Sequence, residues 1–553
     1  MRRKFLPVAA ALAVVTAALL LVSAAPAQAP PSPAVGTSDA GDWLRRGRLL
    51  ESERRWGEAL THYEDGLRQF PADGTLRRQF DLARLHYELC RRYSDRSFRE
   101  GLARMPAGEA LDLYGEVLLK IQAHHVDAPQ WRDLVEFGTR ALEVALAEPA
   151  FLEANRQSAV GSRGEKFGED LRQVLGGRRM ASRDDARAAV SAAANLALQR
   201  LGLSPAAVVM EYTCGAVGFL DQYSAFLTPD QLNEIYSQIE GNFVGLGVEL
   251  KVQEGALVIV RVIPNSPAKR GGIREGDRIL AVNGQTTENL STDHAANLLQ
   301  GEVGSVAELV VAGPGEAPRQ VSVRRERVEV PGVENARVLA GRVGEVLVDP
   351  AWGIAYLKLV CFQKTTFRDL EAALWKLHGA GMKRLIVDLR GNPGGLLTAA
   401  VDASDLFLDR GVIVSTRGRN SHENLAYPAH EAGTWHVPLA ILVDRDSASA
   451  AEIFAGAIQE HHRGTIVGAR SFGKGSVQSI ISLNAGNAGL RLTTAKFYSP
   501  SGRPYSGVGI EPDVVPHQVA RPASSGQPPL PPLDPDPALA AAIQAVTEPP
   551  APR

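Results

Sequence analysis

The chain has 553 residues, room for about three to five domains of roughly 100–200 residues each. Its 60 Lys plus Arg against 62 Asp plus Glu leave a net charge of −2, which excludes recognition of a polyanion by bulk charge. With 45% hydrophobic and 22% charged residues it is neither a disordered chain nor a multi-span membrane protein. Three distant cysteines, Cys90, Cys214 and Cys361, without a CxxC pair, support no disulfide framework or structural zinc site.

Arg2, Arg3 and Lys4 precede an apolar run from Phe5 to about Ala25 that ends in small residues and prolines, so residues 1–29 read as a secretory signal. Ala25-Pro26-Ala27 is preferred for cleavage over Ala27-Gln28-Ala29, which would put Pro30 just after the cut. Roughly 20 apolar residues also span a bilayer, so an uncleaved anchor is the alternative. Both readings place the bulk of the chain outside the cytoplasm, periplasmic or extracytoplasmic, and the second ties it to the inner membrane.

Residues 30–41 form a Pro/Gly/Ser linker. In 42–105, Trp56, Ala59, Leu60, Tyr63, Leu67 and Pro71 resemble one tetratricopeptide repeat. Small residues at Ala59 and Gly66 let paired helices approach closely. A second copy at the repeat period is poor, so a generic amphipathic hairpin is the competing reading. Residues 106–240 stay helical, with Leu111, Tyr114, Val117, Leu118 and Ile121 at three- and four-residue spacing. The polar, arginine-rich stretch Ser158 to Arg187 reads as a surface insertion.

Short β-branched runs broken by glycine and proline fill 241–330, with one helix at about Thr292 to Gln300. In Gly245-Leu246-Gly247-Val248 a glycine-rich turn leads into a strand. Its successive amides can converge on a carboxylate, and the strand edge can take an extended peptide. With 264-PNSPAKRGGIREGDRILAVNG-284 this segment resembles a PDZ domain. The resemblance implies that Leu246, Gly247 and Val248 bind a C-terminal carboxylate. An ordinary β-barrel whose glycines only serve turns is the alternative.

Residues 331–515 alternate strands and helices and carry two strand–turn–helix units. One is 384-RLIVDLR-390 with the turn Gly391-Asn392-Pro393-Gly394-Gly395; the other is 438-PLAILVD-444 with Arg445-Asp446-Ser447-Ala448-Ser449. Small residues at a helix N-terminus suit a developing anion. A serine there is presented as a nucleophile, with the next amide placed for an oxyanion; Ser447 and Ser449 both qualify. His461 and His462, at the far end of the helix, lie roughly 18 Å from its start and are too distant to act as base. Lys474, flanked by glycines, can serve if burial renders it neutral. Gly468 to Lys474 also matches seven positions of a phosphate-binding loop, but Gly475 replaces the hydroxyl residue and a strand-like run follows, which disfavours an NTPase. Residues 516–553 read as a proline-rich tail unable to build a core.

Residues 384-RLIVDLRGNPGGLL-397, 447-SASAAEIFAGAIQ-459, 472-FGKGSVQ-478 and 493-TTAKFYSPSGRPYSGVGIEPD-513, with 221-DQYSAFLTP-229 and 355-AYLKLVCF-362, resemble the carboxyl-terminal processing peptidases of family S41. The resemblance implies a multidomain α+β protein: a helical N-terminal region, a PDZ domain and an α/β peptidase core of ClpP/crotonase-like type. It further implies Ser449 as nucleophile, Lys474 as general base and Gln478 as its support. Ala450, with Gly394 or Gly395, would form the oxyanion hole. Glu452 could help position the site, but a solvated carboxylate in the first helical turn is the preferred reading. No cofactor, metal or nucleic acid is implied. The expected partners are proteins with a free C-terminus, and a second copy or an adaptor on the helical region. A non-catalytic peptide-binding scaffold and a crotonase-like CoA enzyme are the rival functions. Tyr505-Ser506-Gly507 departs from the family pattern, which has Gln before this glycine.

Overall fold

The computed structural model describes residues 13–15, 40–157, 160–253, 256–287, 298–299, 301–343, 346–516 and 536–547. Of the expected leader only β1 (Ala13–Val15) falls within them; the remainder, and most of the expected linker, lie outside the described residues. Among the described residues no helix is long and apolar enough to cross a membrane.

Helices α1 (Ala40–Ser52), α2 (Trp56–Gln69) and α3 (Gly74–Ser94) form the first bundle. The small–large interlock expected from the sequence is present: a Cβ on Gly47 would lie 2.2 Å from Tyr63 Cζ, and one on Gly66 3.2 Å from Trp43 Cε3. Ala59, Tyr63 and Leu67 bury against Leu76 and Phe80 of α3. Asp73 starts α3 by accepting the amides of Thr75 and Leu76 at 2.8 and 2.9 Å.

A second helical core follows, from α4 (Arg96–Arg104), α5 (Ala107–His124), α6 (Trp131–Ala145), α7 (Pro149–Ala154), α8 (Gly161–Gly176), α9 (Arg183–Leu201) and the almost wholly buried α10 (Pro205–Leu220). The surface-insertion reading of Ser158 to Arg187 is corrected here. Helix α8 buries Phe167, Leu171 and Leu175, and α9 buries Ala186, in this core. An apolar stripe at four-residue spacing anchors the segment despite its arginines.

Strand β2 (Ala225–Leu227) and α11 (Pro229–Ile239) lead to a β-rich domain. It comprises β3 (Asn242–Gly245), β4 (Val248–Gln253), β5 (Ala256–Val262), α12 (Pro267–Arg270), β6 (Arg278–Val282), β7 (Gln285–Thr286), β8 (Val306–Ala312), β9 (Arg319–Arg324) and β10 (Glu326–Glu329). The sheet order β4-β5-β6-β8-β9 leaves β4 at an edge, while β10 returns to pair with β3. The helix expected at Thr292 to Gln300 lies almost wholly outside the described residues; Leu299 is buried in the domain's core.

The last block adds β11 (Val333–Val338), β12 (Gly341–Val343), β13 (Val346–Val348), β14 (Ile354–Leu359), α13 (Thr366–Gly379), β15 (Arg384–Asp388), β16 (Gly395–Leu396), α14 (Leu397–Asp405), β17 (Val412–Gly418), β18 (Ala426–Pro428), β19 (Leu439–Val443), α15 (Ala450–Glu460), β20 (Thr465–Gly468), β21 (Ser476–Ser482), β22 (Gly489–Tyr498) and α16 (Pro537–Thr547). One sheet runs β11-β14-β15-β19-β20, with β14, β15, β19 and β20 parallel. The apolar runs of β15 and β19 become interior parallel strands buried on both faces. Leu385, Val387, Ile441 and Val443 face the core shared with α13, α14 and α15. Ile386, Ala440 and Leu442 face α16. A second sheet runs β16-β1-β21-β22-β17-β18, with β2 on β22.

Helix α16 corrects the expectation of a tail without a core. Ala538, Leu539, Ala542, Ile543 and Val546 form one stripe and cover the outer face of the parallel sheet. After Lys474 the chain enters β21, not a helix, so the phosphate-loop match has no helix N-terminus on which to seat a phosphate.

Candidate active site

Both turns leave the carboxyl ends of adjacent parallel strands, and one carboxylate splices them. Asp444 Oδ1 accepts the amides of Gly391, Asp446 and Ser447 at 3.0, 3.1 and 2.9 Å. Ser447 Oγ donates to the Leu389 carbonyl at 2.8 Å and accepts the Asp444 amide at 2.9 Å; it is a fastener. Ser449 differs. Its backbone sits at φ 62°, ψ −115°, a costly conformation for a residue with a side chain. It is fully buried, and its Oγ has no hydrogen-bond partner among the described residues. The two serines, alike by residue type, thus differ in backbone conformation and hydrogen bonding.

In the first turn of α15 the amides of Ala451, Glu452 and Ile453 are committed to the carbonyls of Ala448 and Ser449. The Ala450 amide lies beside the glycine turn: a Cβ on Gly394 (φ 102°) would stand 2.9 Å from Ala450 N and 2.7 Å from Ser449 Cβ. Asn392 builds this approach. Its Nδ2 donates to the Leu359 carbonyl at 2.9 Å, its Oδ1 accepts the Gly394 amide at 2.8 Å, and its carbonyl accepts the Ala448 amide at 2.9 Å. The Gly394 amide is thus taken by Asn392. Residues Ala13–Val15 run antiparallel to both β16 and β21, with Val15 opposite Gly395 and Val14 opposite Leu396 and Gln478.

Glu452 is buried, and the solvated reading of this residue is corrected. Its Oε2 accepts the amides of Ser449 and Lys474 at 2.7 and 2.9 Å. Its Oε1 accepts the Gly473 amide and the Ser471 hydroxyl, both at 2.6 Å. One carboxylate therefore joins the Ser449 turn to the Lys474 loop. Burial pushes its pKa up, and these four hydrogen bonds pull against that shift. The packing of a distant loop over this helix turn is what buries Glu452.

Lys474 is 2% exposed, and its Nζ lies 4.7 Å from the centre of the Tyr223 ring. Burial pushes its pKa far below the usual amine value; Arg491 adds to the shift, while Asp221 and Glu452 oppose it. Burial also resists ionisation of Asp221, but hydrogen bonds from His125, Ser224 and the amides of Tyr223 and Ser224 outweigh it and hold Asp221 at about 2. Ser449 Oγ is not hydrogen-bonded to Lys474 in this arrangement. Gln478 Nε2 donates to Ser476 Oγ at 2.9 Å and Thr493 Oγ1 at 3.3 Å, and its buried Oε1 has no partner among the described residues. Arg68, in the last turn of α2, lies 5.3 Å from the centre of the Phe472 ring, so the first helical bundle reaches the lysine loop. His461 Nε2 bonds the Val412 carbonyl at 2.8 Å, a packing role. Among the described residues no group of three His, Cys, Asp or Glu side chains could hold a metal ion.

In the β-rich domain the Leu246 carbonyl accepts the Ala268 amide at 2.8 Å and the Gly247 carbonyl the Ile263 amide at 2.9 Å. In a trans peptide the N–H points opposite its C=O, so the amides of Gly247 and Val248 face away from those partners, beside the open edge of β4. Gly247 (φ 83°) must lack a side chain, since a Cβ there would stand 2.2 Å from Ser266 Cβ.

A strained, unpartnered hydroxyl at a helix N-terminus beside a glycine turn, and a desolvated amine on a loop tied to the same helix turn, on an α/β core, are the features of a serine-type hydrolase. Residues 353–515 match Peptidase family S41, and residues 258–313 match the PDZ domain. The chain is 36% identical over 305 residues to the carboxy-terminal-processing protease of Bartonella bacilliformis, covering 54% of this chain and 67% of that protein. It is 33% identical over 306 residues to the chloroplastic carboxyl-terminal-processing peptidase 3 of Arabidopsis thaliana, covering 53% and 57%. A probable CtpA-like serine protease of Staphylococcus aureus is 31% identical over 297 residues, with the same coverage. A solved photosystem II D1 C-terminal processing protease aligns at TM-score 0.41 and 25% identity, over 73% of this chain and 92% of that one. The chain belongs to peptidase family S41, among the carboxyl-terminal processing proteases; it is a serine-type peptidase, a hydrolase, with a PDZ domain.

Proposed function

We propose that this chain is an exported endopeptidase that cleaves proteins near their C-termini through a Ser449–Lys474 dyad. Ser449 attacks the peptide carbonyl while Lys474, uncharged in its buried site, takes the hydroxyl proton. The Ala450 and Gly395 amides stabilise the oxyanion, and water then releases the acyl-enzyme. The amides of Gly247 and Val248 hold the substrate's terminal carboxylate, and the peptide adds to the edge of β4. Gln478 orients the amine once Lys474 turns from Tyr223 towards Ser449. The helical N-terminal half recruits a partner or a second copy.

The observation that carries this reading is the Glu452 carboxylate, which holds the strained serine turn and the buried lysine loop by four hydrogen bonds. The pairing of an extended segment with both β16 and β21 supports a peptide bound as a strand across the site. The test is cleavage of casein and of a tagged unfolded protein by wild type, Ser449→Ala and Lys474→Ala. Wild type alone is expected to cleave, with the variants down by at least about 10⁴-fold. Activity in Ser449→Ala would discard the dyad. Equal rates on substrates with free and amidated C-termini would discard carboxylate capture.

A further inference from the structure

The Gly391–Gly395 turn follows Arg390, whose side chain bridges two carboxylates far apart in the chain, Asp388 and Asp536. Its Nε lies 3.0 and 3.1 Å from the two oxygens of Asp388, and its Nη2 donates to Asp388 Oδ2 at 2.6 Å. Nη1 and Nη2 also make a two-point bond to Asp536, at 2.9 and 2.8 Å. Asp388 is buried and further held by the Tyr356 hydroxyl at 2.8 Å. Asp536 immediately precedes α16 and accepts the Leu539 amide at 2.9 Å. Arg384, at the other end of β15, donates to the Val546 carbonyl at 3.0 Å. Helix α16 is therefore fixed at both ends to the strand that delivers the glycine turn, and its apolar stripe seals that strand's outer face.

We propose that Asp536 is a positioning residue for the peptidase reaction, and that the segment Asp536–Thr547 is a working part of the catalytic unit. A two-point carboxylate–guanidinium bond fixes orientation as well as distance. It aims Arg390, and through the main chain the next residues, Gly391 on Asp444 and Asn392 on Gly394 and Ala448. Gly395 is the end of that lever. Oxyanion donors act only when held close to their working positions, and a misplacement of about 1 Å can cost about 10²-fold. Without Asp536 the guanidinium keeps Asp388 but loses its outer brace, and the turn gains freedom in the direction that matters for the oxyanion.

This inference rests on the proposed role of Gly395, so its test must separate the two. Full-length wild type, Asp536→Asn, Asp536→Glu and Ser449→Ala are compared at a temperature well below each melting point, with folded sites counted by a serine-reactive fluorophosphonate. For Asp536→Asn, which keeps the side-chain shape, kcat per site is expected to fall about tenfold with KM within about twofold, part of the loss caused by removing an oxyanion donor itself. Asp536→Glu, which keeps the charge, is expected to recover most of that loss. Combining Asp536→Asn with Arg390→Ala should cost less than the product of the single effects, because both act through one turn. Unchanged kcat per site in Asp536→Asn, or a loss explained wholly by fewer folded sites, overturns the proposal while Ser449→Ala remains inactive. Residual activity in Ser449→Ala overturns the underlying reading instead.

Discussion

The two turns that meet at Ser449 leave neighbouring parallel strands, β15 and β19, and precede helices of similar design, yet they solve opposite problems. The turn after β15 has no side chains at its point of contact. Gly394 and Gly395 adopt φ of 102° and 141°, and a Cβ on Gly395 would stand 2.0 Å from the Phe362 carbonyl oxygen. The turn after β19 keeps a side chain at positive φ, at Ser449, where packing and hydrogen bonds must hold the strain. In the proposed mechanism the first turn supplies shape and amides, and the second supplies the reactive group. Strain of this kind persists only where the surroundings over-determine it, and Asp444, Ser447 and Glu452 provide that constraint.

The sharpest way to break the comparison is to give the first turn a side chain. Gly394→Ala forces a methyl against Ser449 Cβ at 2.7 Å and the Ala448 carbonyl at 2.8 Å. It is expected to lower kcat by about 10²–10³-fold, the scale of losing an oxyanion donor. Steady-state kinetics on a folded variant check this. Glu452→Gln attacks the second turn. It sets an amide donor against buried N–H or O–H donors that now share a carboxylate, each unsatisfied group costing about 1–3 kcal/mol. The expected result is a lower melting temperature and about a 10²-fold loss of kcat. Ser447→Ala has the smallest expected effect. Its hydroxyl only fastens the turn to Leu389 and Asp444, so stability should fall by about 1–3 kcal/mol while kcat falls by less than about tenfold. A larger catalytic loss in Ser447→Ala than in Glu452→Gln would reverse the assignment of the two residues.

Much of this was legible in the residues. The apolar runs 384–388 and 439–443 announce buried parallel strands, and glycine or serine after each announces the turns. The close approach of the first helices follows from small residues such as Gly66 at helical spacing; Gly47 against Tyr63 adds a contact that the sequence does not show. Three features were not legible, each for a physical reason. Glu452 and Lys474 are 22 positions apart, so only the folded chain shows that one carboxylate serves both loops. Helix α8 hides three apolar residues in a charged stretch, and its single stripe is masked by composition. Helix α16 is an eleven-residue helix with one apolar stripe, embedded in proline-rich sequence; its core partners are strands about 70 to 200 positions earlier. Asp536 has meaning only beside Arg390.

The central claim is that Ser449 is activated by an uncharged Lys474. Burial depresses the lysine pKa, so the base form grows as pH rises through a midpoint well below the ordinary amine value. The direct measurement is the rate of fluorophosphonate modification of full-length protein across pH, with the adduct located by peptide mass spectrometry. The account predicts a single adduct on Ser449, a rate that climbs with pH through that lowered midpoint, and loss of the climb in Lys474→Met. An adduct on Ser447, or an unchanged pH profile in Lys474→Met, would contradict it.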